Sequence, residues 1–182
     1  MALPSTYADR NCSLARALEV VGERWTLLIV RDAFFGVRRF GDFATRLGIP
    51  RAVLTSRLKA LVQEGVLTRD EAAGGVVEYR LTGKGVELWP IVRALMGWGD
   101  AHYSPAGAKR TVRHDADGGL LDQDGRCADC GVVVPVPDIR VEPGPGYQPS
   151  GVVLDPLSAA INTPHRLLEP VTARVGDAGP KD

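Results

Sequence analysis

Three cysteines and three histidines carry the most reactive side chains of this 182-residue chain, and their spacing sorts them. Cys127 and Cys130 stand in the run Cys127-Ala128-Asp129-Cys130-Gly131, the form of a zinc knuckle, whose glycine lets backbone N–H groups turn toward the thiolates. A tetrahedral Zn2+ site needs four ligands, and one such pair supplies half of them. His114 is the third candidate and Asp117 the fourth. Two other readings stay open for these residues, a metal-free turn and a redox dithiol. No βαβ pattern surrounds the pair, which counts against the dithiol. An enzyme working through Cys127 and Cys130, as a thiol oxidoreductase or as a small metalloenzyme with His114, is therefore an alternative function. No Gly-rich phosphate loop, paired catalytic carboxylates or Ser/His/Asp constellation supports it. His102 and His165 stand alone, as structural or solvated histidines do. A disulfide framework is not expected from three cysteines at this length.

Cys12 belongs to a different setting. It precedes Ser13, a good N-cap, and Leu14, Ala17, Leu18 and Val21 follow as an apolar stripe. At a helix N-terminus, unpaired N–H groups stabilise negative charge, and Arg10 and Arg16 lie near in sequence. Cys12 is thus a candidate redox sensor. The plainer reading is a small residue packed beside Leu14.

A second kind of chemistry is the recognition of phosphates and base edges. The net charge of zero argues against a nucleic-acid binder, but its distribution does not. Residues 1–103 carry 14 Lys/Arg against 11 Asp/Glu, while residues 104–182 carry 8 against 11. Between Gly36 and Ala60 stand six basic residues (Arg38, Arg39, Arg46, Arg51, Arg57, Lys59) and one acid, Asp42. Such a local excess is an electrostatic footprint. Arg51 and Ser56 are the candidates for base edges, with Thr55 and Lys59 next, since Arg pairs bidentately with guanine O6 and N7. Arg39 and Arg57 grip phosphate or tie helices together; in the second case Arg57 would pair with Asp42 or Glu64.

These side chains need a scaffold, and residues 37–82 supply one. Phe40, Phe43, Ala44 and Leu47 recur at helical spacing, and Gly48 follows as a C-cap. Pro50 suits the first turn of the next helix, whose apolar stripe is Leu54, Leu58 and Leu61 and which Gly65 closes. Arg51, Thr55, Ser56 and Lys59 fall off that stripe. Residues 66–69 and 76–81 read as strands around a turn at Ala72-Ala73-Gly74-Gly75. Helix, turn, helix, hairpin is a winged helix-turn-helix, whose second helix suits a DNA major groove. Asp70 and Glu71 make the wing tip acidic, so Arg69 and Arg80 on the strands are the phosphate contacts. Ahead of it, residues 25–35 form a helix apolar nearly all round, placed in mid-core. After it, Thr82 caps a helix over 83–102 that Pro90, Gly97 and Gly99 should bend. Leu88, Ile91, Val92, Leu95, Met96 and Trp98 give this helix more apolar surface than one small domain covers, which points to a homodimer.

From residue 104 the composition shifts: ten of thirteen prolines and ten glycines lie there. Residues 111–114 and 132–136 are expected as short strands, and 141–150 as irregular. Residues 155–161 and 165–175 are expected as helices, the second limited by Pro164 and Pro170. The fold class is α+β, mainly α. A winged-helix domain (1–103) precedes a small β-rich module holding the CxxC (104–140) and a weakly ordered, Pro/Gly-rich tail (141–182).

Residues 12 to 103 resemble the HxlR family of bacterial winged-helix transcriptional regulators, relatives of the MarR group. The matching residues are Cys12, Gly22-Glu23-Arg24-Trp25-Thr26-Leu27-Leu28, Arg38-Arg39-Phe40, Leu54-Thr55-Ser56-Arg57-Leu58, Glu78-Tyr79-Arg80-Leu81-Thr82 and Trp98-Gly99. The resemblance implies dimers built from the first and last helices, binding inverted repeats near promoters, and a sensing role for the cysteine in several members. Departures are Ser13, where the family often has proline, and Asp117-Gly118, where extended members look as if they carry a second Cys–Gly step.

The function expected is a sequence-specific DNA-binding regulator, a dimeric repressor on an inverted repeat, responsive to redox conditions or to a small-molecule or electrophile effector. A winged helix that binds protein instead of DNA is the other alternative. The partners are double-stranded DNA and a second copy of the chain, with Zn2+ as the one candidate cofactor. No apolar run approaches the roughly 20 residues of a membrane span. The first residues lack a basic flank plus apolar core, so a cytoplasmic protein without membrane contact is expected.

Overall fold

The computed structural model describes residue 7 and residues 11–72, 74–148 and 155–171. Four helices open it: α1 (Ser13–Val21), α2 (Thr26–Phe34), α3 (Phe40–Leu47) and α4 (Arg51–Gln63). An antiparallel hairpin follows, β1 (Leu67–Ala72) and β2 (Val76–Leu81), then α5 (Gly83–Val86) and α6 (Trp89–Tyr103). The C-terminal part holds β3 (Arg110–His114), a 3-10 turn at Val136–Asp138, β4 (Ile139–Pro143), α7 (Pro156–Ile161) and β5 (His165–Arg166). Its three strands pair antiparallel in the order β3-β4-β5. The class is α+β, with a winged helix-turn-helix over α3, α4 and the β1–β2 hairpin.

Local chemistry explains the element ends. Gly48 takes φ +59°, the left-handed geometry that stops α3, and its N–H returns to the Ala44 carbonyl at 3.0 Å. Pro50 is the N-cap of α4 and not part of its first turn; its ψ of 133° turns the chain before Arg51. In α1 the N-cap is Cys12, not Ser13, and no side chain caps the helix. Thr82 does cap α5, its hydroxyl accepting from the Gly85 N–H at 3.1 Å. The single bent helix expected over 83–102 is in fact two. Pro90 falls in the first turn of α6 and has no N–H for the Val86 carbonyl, so the chain breaks after Val86 and restarts at Trp89. Arg10 and Ala73 lie outside the described residues.

One apolar core runs through the molecule. Ile29, Val30 and Phe34 of α2 meet Phe43, Leu54, Leu58 and Leu61 from the helix-turn-helix, and Trp89 and Val92 from α6. The same cluster takes in Val112, Leu121, Cys127, Ile139, Val141, Leu157, Ile161 and Leu167 from the C-terminal part. Asp32 is fully buried within it, with Arg31 Nη2 2.6 Å from Oδ1 and Arg46 Nε 3.0 Å from Oδ2. The Arg46 N–H is not aimed along the second contact, which is a charge pair and not a hydrogen bond.

The C-terminal part departs from expectation in three places. Residues 132–136 form no strand; Val133 makes a single bridge to Arg126. Residues 141–143, expected as irregular, complete β4 beside Val112 and Arg110. His165 and Arg166 are a strand and not the start of a helix, and residues 172–182 lie outside the described residues. After β5 the chain straps across the α2–α3 junction. Leu168 N–H donates to the Phe34 carbonyl (2.8 Å), Val171 N–H to the Gly36 carbonyl (3.1 Å) and Arg38 Nη2 to the Leu168 carbonyl (2.8 Å). Gly36, at φ +86°, lies so close that a Cβ there would collide with the Glu169 carbonyl oxygen.

Candidate nucleic-acid interface

Helix α4 divides cleanly. Leu54, Leu58 and Leu61 are at most 1% exposed, while Arg51, Ala52, Thr55, Ser56 and Lys59 form the opposite, exposed face. Arg51 opens the helix with its guanidinium 4.9 Å from the centre of the Phe40 ring. Thr55 Oγ1 donates back to the Arg51 carbonyl (2.9 Å), which leaves its methyl and its lone pairs outward. Among the described residues, no acidic side chain pairs with Arg51 or Lys59.

The wing extends this surface unevenly. Arg69 lies opposite Tyr79, and Thr68 opposite Arg80, so the two wing arginines occupy opposite faces of the hairpin. Arg69 and Tyr79 line a shallow groove with Thr55, Lys59, Val62 and Gln63 of α4. Arg80 instead pairs with Glu78 (2.9 Å), which also has Arg38 and Arg39 each 3.9 Å away. Burial lowers the Arg38 pKa, Arg80 lowers it further, and Glu78 acts in the other direction. Glu78 is therefore the acid that lets three arginines share one edge, a role that sequence reasoning did not find. The signal was a lone Glu between Val77 and Tyr79. Arg57 pairs with Glu23 at 3.3 Å, and neither with Asp42 nor with Glu64; it ties α4 to the α1–α2 connection.

The three cysteines are free thiols in two distinct places. Cys12 is exposed at the start of α1, and its carbonyl accepts the Arg16 N–H at 3.1 Å. Arg16's guanidinium is turned to Glu19. Cys127 and Cys130 lie in a cluster with the other two sequence candidates. His114 Nδ1 is 3.0 Å from Asp117 Oδ2, Cys127 Sγ is 3.3 Å from Asp117 Oδ1, and Cys130 Sγ is 3.5 Å from His114 Nδ1. All four ligand atoms fall within 4.8 Å of one another. Hydrogen bonds from Cys130 and from the Gly119 N–H hold the Asp117 carboxyl well below the usual range, and that carboxylate pushes the Cys130 thiol up.

Residues 20–106 match the family model described as HxlR-like helix-turn-helix. Rv3095, an uncharacterised HTH-type transcriptional regulator of Mycobacterium tuberculosis (strain ATCC 25618 / H37Rv), is 46% identical over 139 residues, 75% of this chain and 88% of the relative. YvaP, an uncharacterised HTH-type transcriptional regulator of Bacillus subtilis (strain 168), is 35% identical over 94 residues, 50% of this chain and 87% of its own length. Among solved structures, PA1607, a candidate transcription factor, superposes with a TM-score of 0.53 at 35% identity, covering 80% of this chain and 93% of that one. The matches to Rv3095 and PA1607 reach beyond the span of the family model, into the C-terminal part. Nothing among these relatives supports the enzyme alternative built on Cys127 and Cys130. The chain belongs to the HxlR-like helix-turn-helix family of DNA-binding transcriptional regulators.

Proposed function

We propose that the protein is a homodimeric, cytoplasmic repressor that seats one α4 in the major groove of each half of an inverted repeat. The observation that carries this reading is the exposed face of α4. Arg51, Ser56 and Lys59 stand out from a helix whose other face is fully buried, with Arg69 closing the groove beside them. Arg51 would read guanine, Ala52 and the Thr55 methyl can meet thymine methyls, and Arg39, Arg69 and Arg80 would hold phosphates on either side. Arg57, held by Glu23, positions α4.

A second copy completes the reader. Leu14 (67% exposed) and Leu18 (45%) on α1, with Ile91 (46%), Leu95 (50%) and Trp98 (56%) on α6, present large apolar side chains to solvent. Covering these two helices with their symmetry mates fits an isologous interface. Repression follows from occlusion of a promoter by the bound dimer. Selection of bound fragments from genomic DNA tests the proposal: enriched fragments should share an inverted repeat with half-sites about 10 bp apart or a multiple of that. Fragments with no common motif would contradict it.

A further inference from the structure

His114, Asp117, Cys127 and Cys130 converge from two segments that follow different paths. His114 ends β3 and Asp117 sits in the turn after it, while Cys127 and Cys130 bracket a tight turn closed by the Gly131 N–H to the Cys127 carbonyl (2.9 Å). Gly131 has φ +72°, which a side chain would resist. The Cys127 N–H donates to the Val132 carbonyl and the Ala128 N–H to the Leu120 carbonyl, both at 2.8 Å, so the turn is anchored at both ends. The Gly119 N–H donates to Asp117 Oδ1 at 2.9 Å and fixes that carboxylate from behind. A Cβ on Gly119 would collide with Cys127 Sγ, so the cradle requires glycine there.

Three of the six donor pairs stand at separations that one tetrahedral ion would accommodate. With Zn–S near 2.3 Å and Zn–N or Zn–O near 2.0–2.1 Å, neighbouring S and N or O ligands stand about 3.5 Å apart, and N and O about 3.3 Å. The observed separations are 3.5 Å for Cys130 to His114, 3.3 and 3.5 Å for Cys127 to the Asp117 oxygens, and 3.0 Å for His114 to Asp117. All four donors lie within 4.8 Å of one another.

We propose that His114, Asp117, Cys127 and Cys130 bind one structural Zn2+. Two thiolates with an imidazole and a carboxylate suit zinc over harder cations. Four protein ligands close the coordination sphere, leaving no position for a reacting water, so the site is structural and not catalytic. Its position gives it a task. The loop it pins carries Leu121, Asp122, Val133 and Val134, which form one wall of a cavity of about 440 Å³ against Trp89 and Arg93 of α6. The ion therefore fastens the C-terminal part to the helix that presents Leu95 and Trp98.

Metal analysis of the full chain purified without chelator, together with Co2+ exchange, tests the site. About one zinc per chain and a cobalt spectrum of tetrahedral thiolate coordination are expected. Cys127→Ser should lose the metal and Cys12→Ser should keep it. Gly119→Ala, which removes no ligand, should weaken binding by about 10–100-fold. Unmutated protein that binds cobalt octahedrally or not at all overturns the proposal, as does a full zinc complement in Cys127→Ser.

Discussion

Arg51 owes its place to the residues just before it. Gly48 ends α3 in the left-handed region, Pro50 caps α4, and Arg51 becomes the first helical residue, over Phe40. An exposed cation–π contact contributes about 0.5–1 kcal/mol. A bidentate pair with guanine contributes about 1–3 kcal/mol of discrimination, so DNA can draw Arg51 off Phe40 without loss. The outward set on α4 was legible because helical periodicity separates it from three leucines. The partner of Arg57 was not, because Glu23 lies 34 positions away and only the fold brings it near. Gly119 was missed for the same reason: its neighbour Cys127 is reached through space. Cys12 and Leu14 are both exposed in the single chain. Diamide or a quinone is expected to weaken DNA binding by the unmutated protein and not by Cys12→Ser. Identical responses measured in a mobility-shift titration would make Cys12 a bystander.

Among the elements, α3 and α4 emerged from period and caps, whereas β4 did not. Its Pro143 and the following Gly144-Pro145-Gly146 outweigh the four strand residues before them in any local reading, and pairing with β3 decides the matter. The α2 helix shows how much energy one local choice can hold. Asp32 is fully buried, and its charge is compensated by Arg31 and Arg46. Removing one partner of a buried pair leaves an uncompensated charge, at a cost of about 3–5 kcal/mol. Arg46→Ala leaves Arg31 on Oδ1 and removes only the charge partner of Oδ2, so it should lower stability by less than that in denaturant unfolding, while changing no exposed α4 residue. His165 offers a pH-dependent counterpart. Burial lowers its pKa, with Arg110 lowering it and the Thr163 carbonyl raising it. The unfolded imidazole takes a proton near 6.5 and the folded one only at lower pH. Between the two, the unfolded state holds more protons, so stability is full above about 6.5 and falls on acidification. His165→Gln should flatten the melting temperature between pH 7 and 5 relative to the unmutated chain. Parallel profiles would show that another group governs this range.

At the scale of the whole molecule, the strap of residues 167–171 was the least legible feature. Backbone hydrogen bonds to Phe34 and Gly36 leave no pattern in side-chain types. The exposed apolar stripe is legible in the sequence, because α6 carries more apolar residues than the rest of one chain covers. Leu95→Glu or Trp98→Glu should convert the proposed dimer to monomer, since burying an unpaired carboxylate costs several kcal/mol. Sedimentation of the unmutated chain as a stable monomer at micromolar concentration would remove the symmetric arrangement. The exposed face of α4 is the surface proposed to read base edges. The decisive measurement is the affinity of the unmutated protein and of Arg51→Ala for the selected repeat and for its single-base variants, at several salt concentrations. Arg51→Ala should lose about 1–3 kcal/mol on the selected repeat and become indifferent to the base at one position per half-site. The log–log salt slope, about −0.9 per phosphate neutralised, should stay nearly unchanged. An Arg51→Ala protein with full base preference, or unmutated protein with equal affinity for every sequence, would contradict base reading by α4.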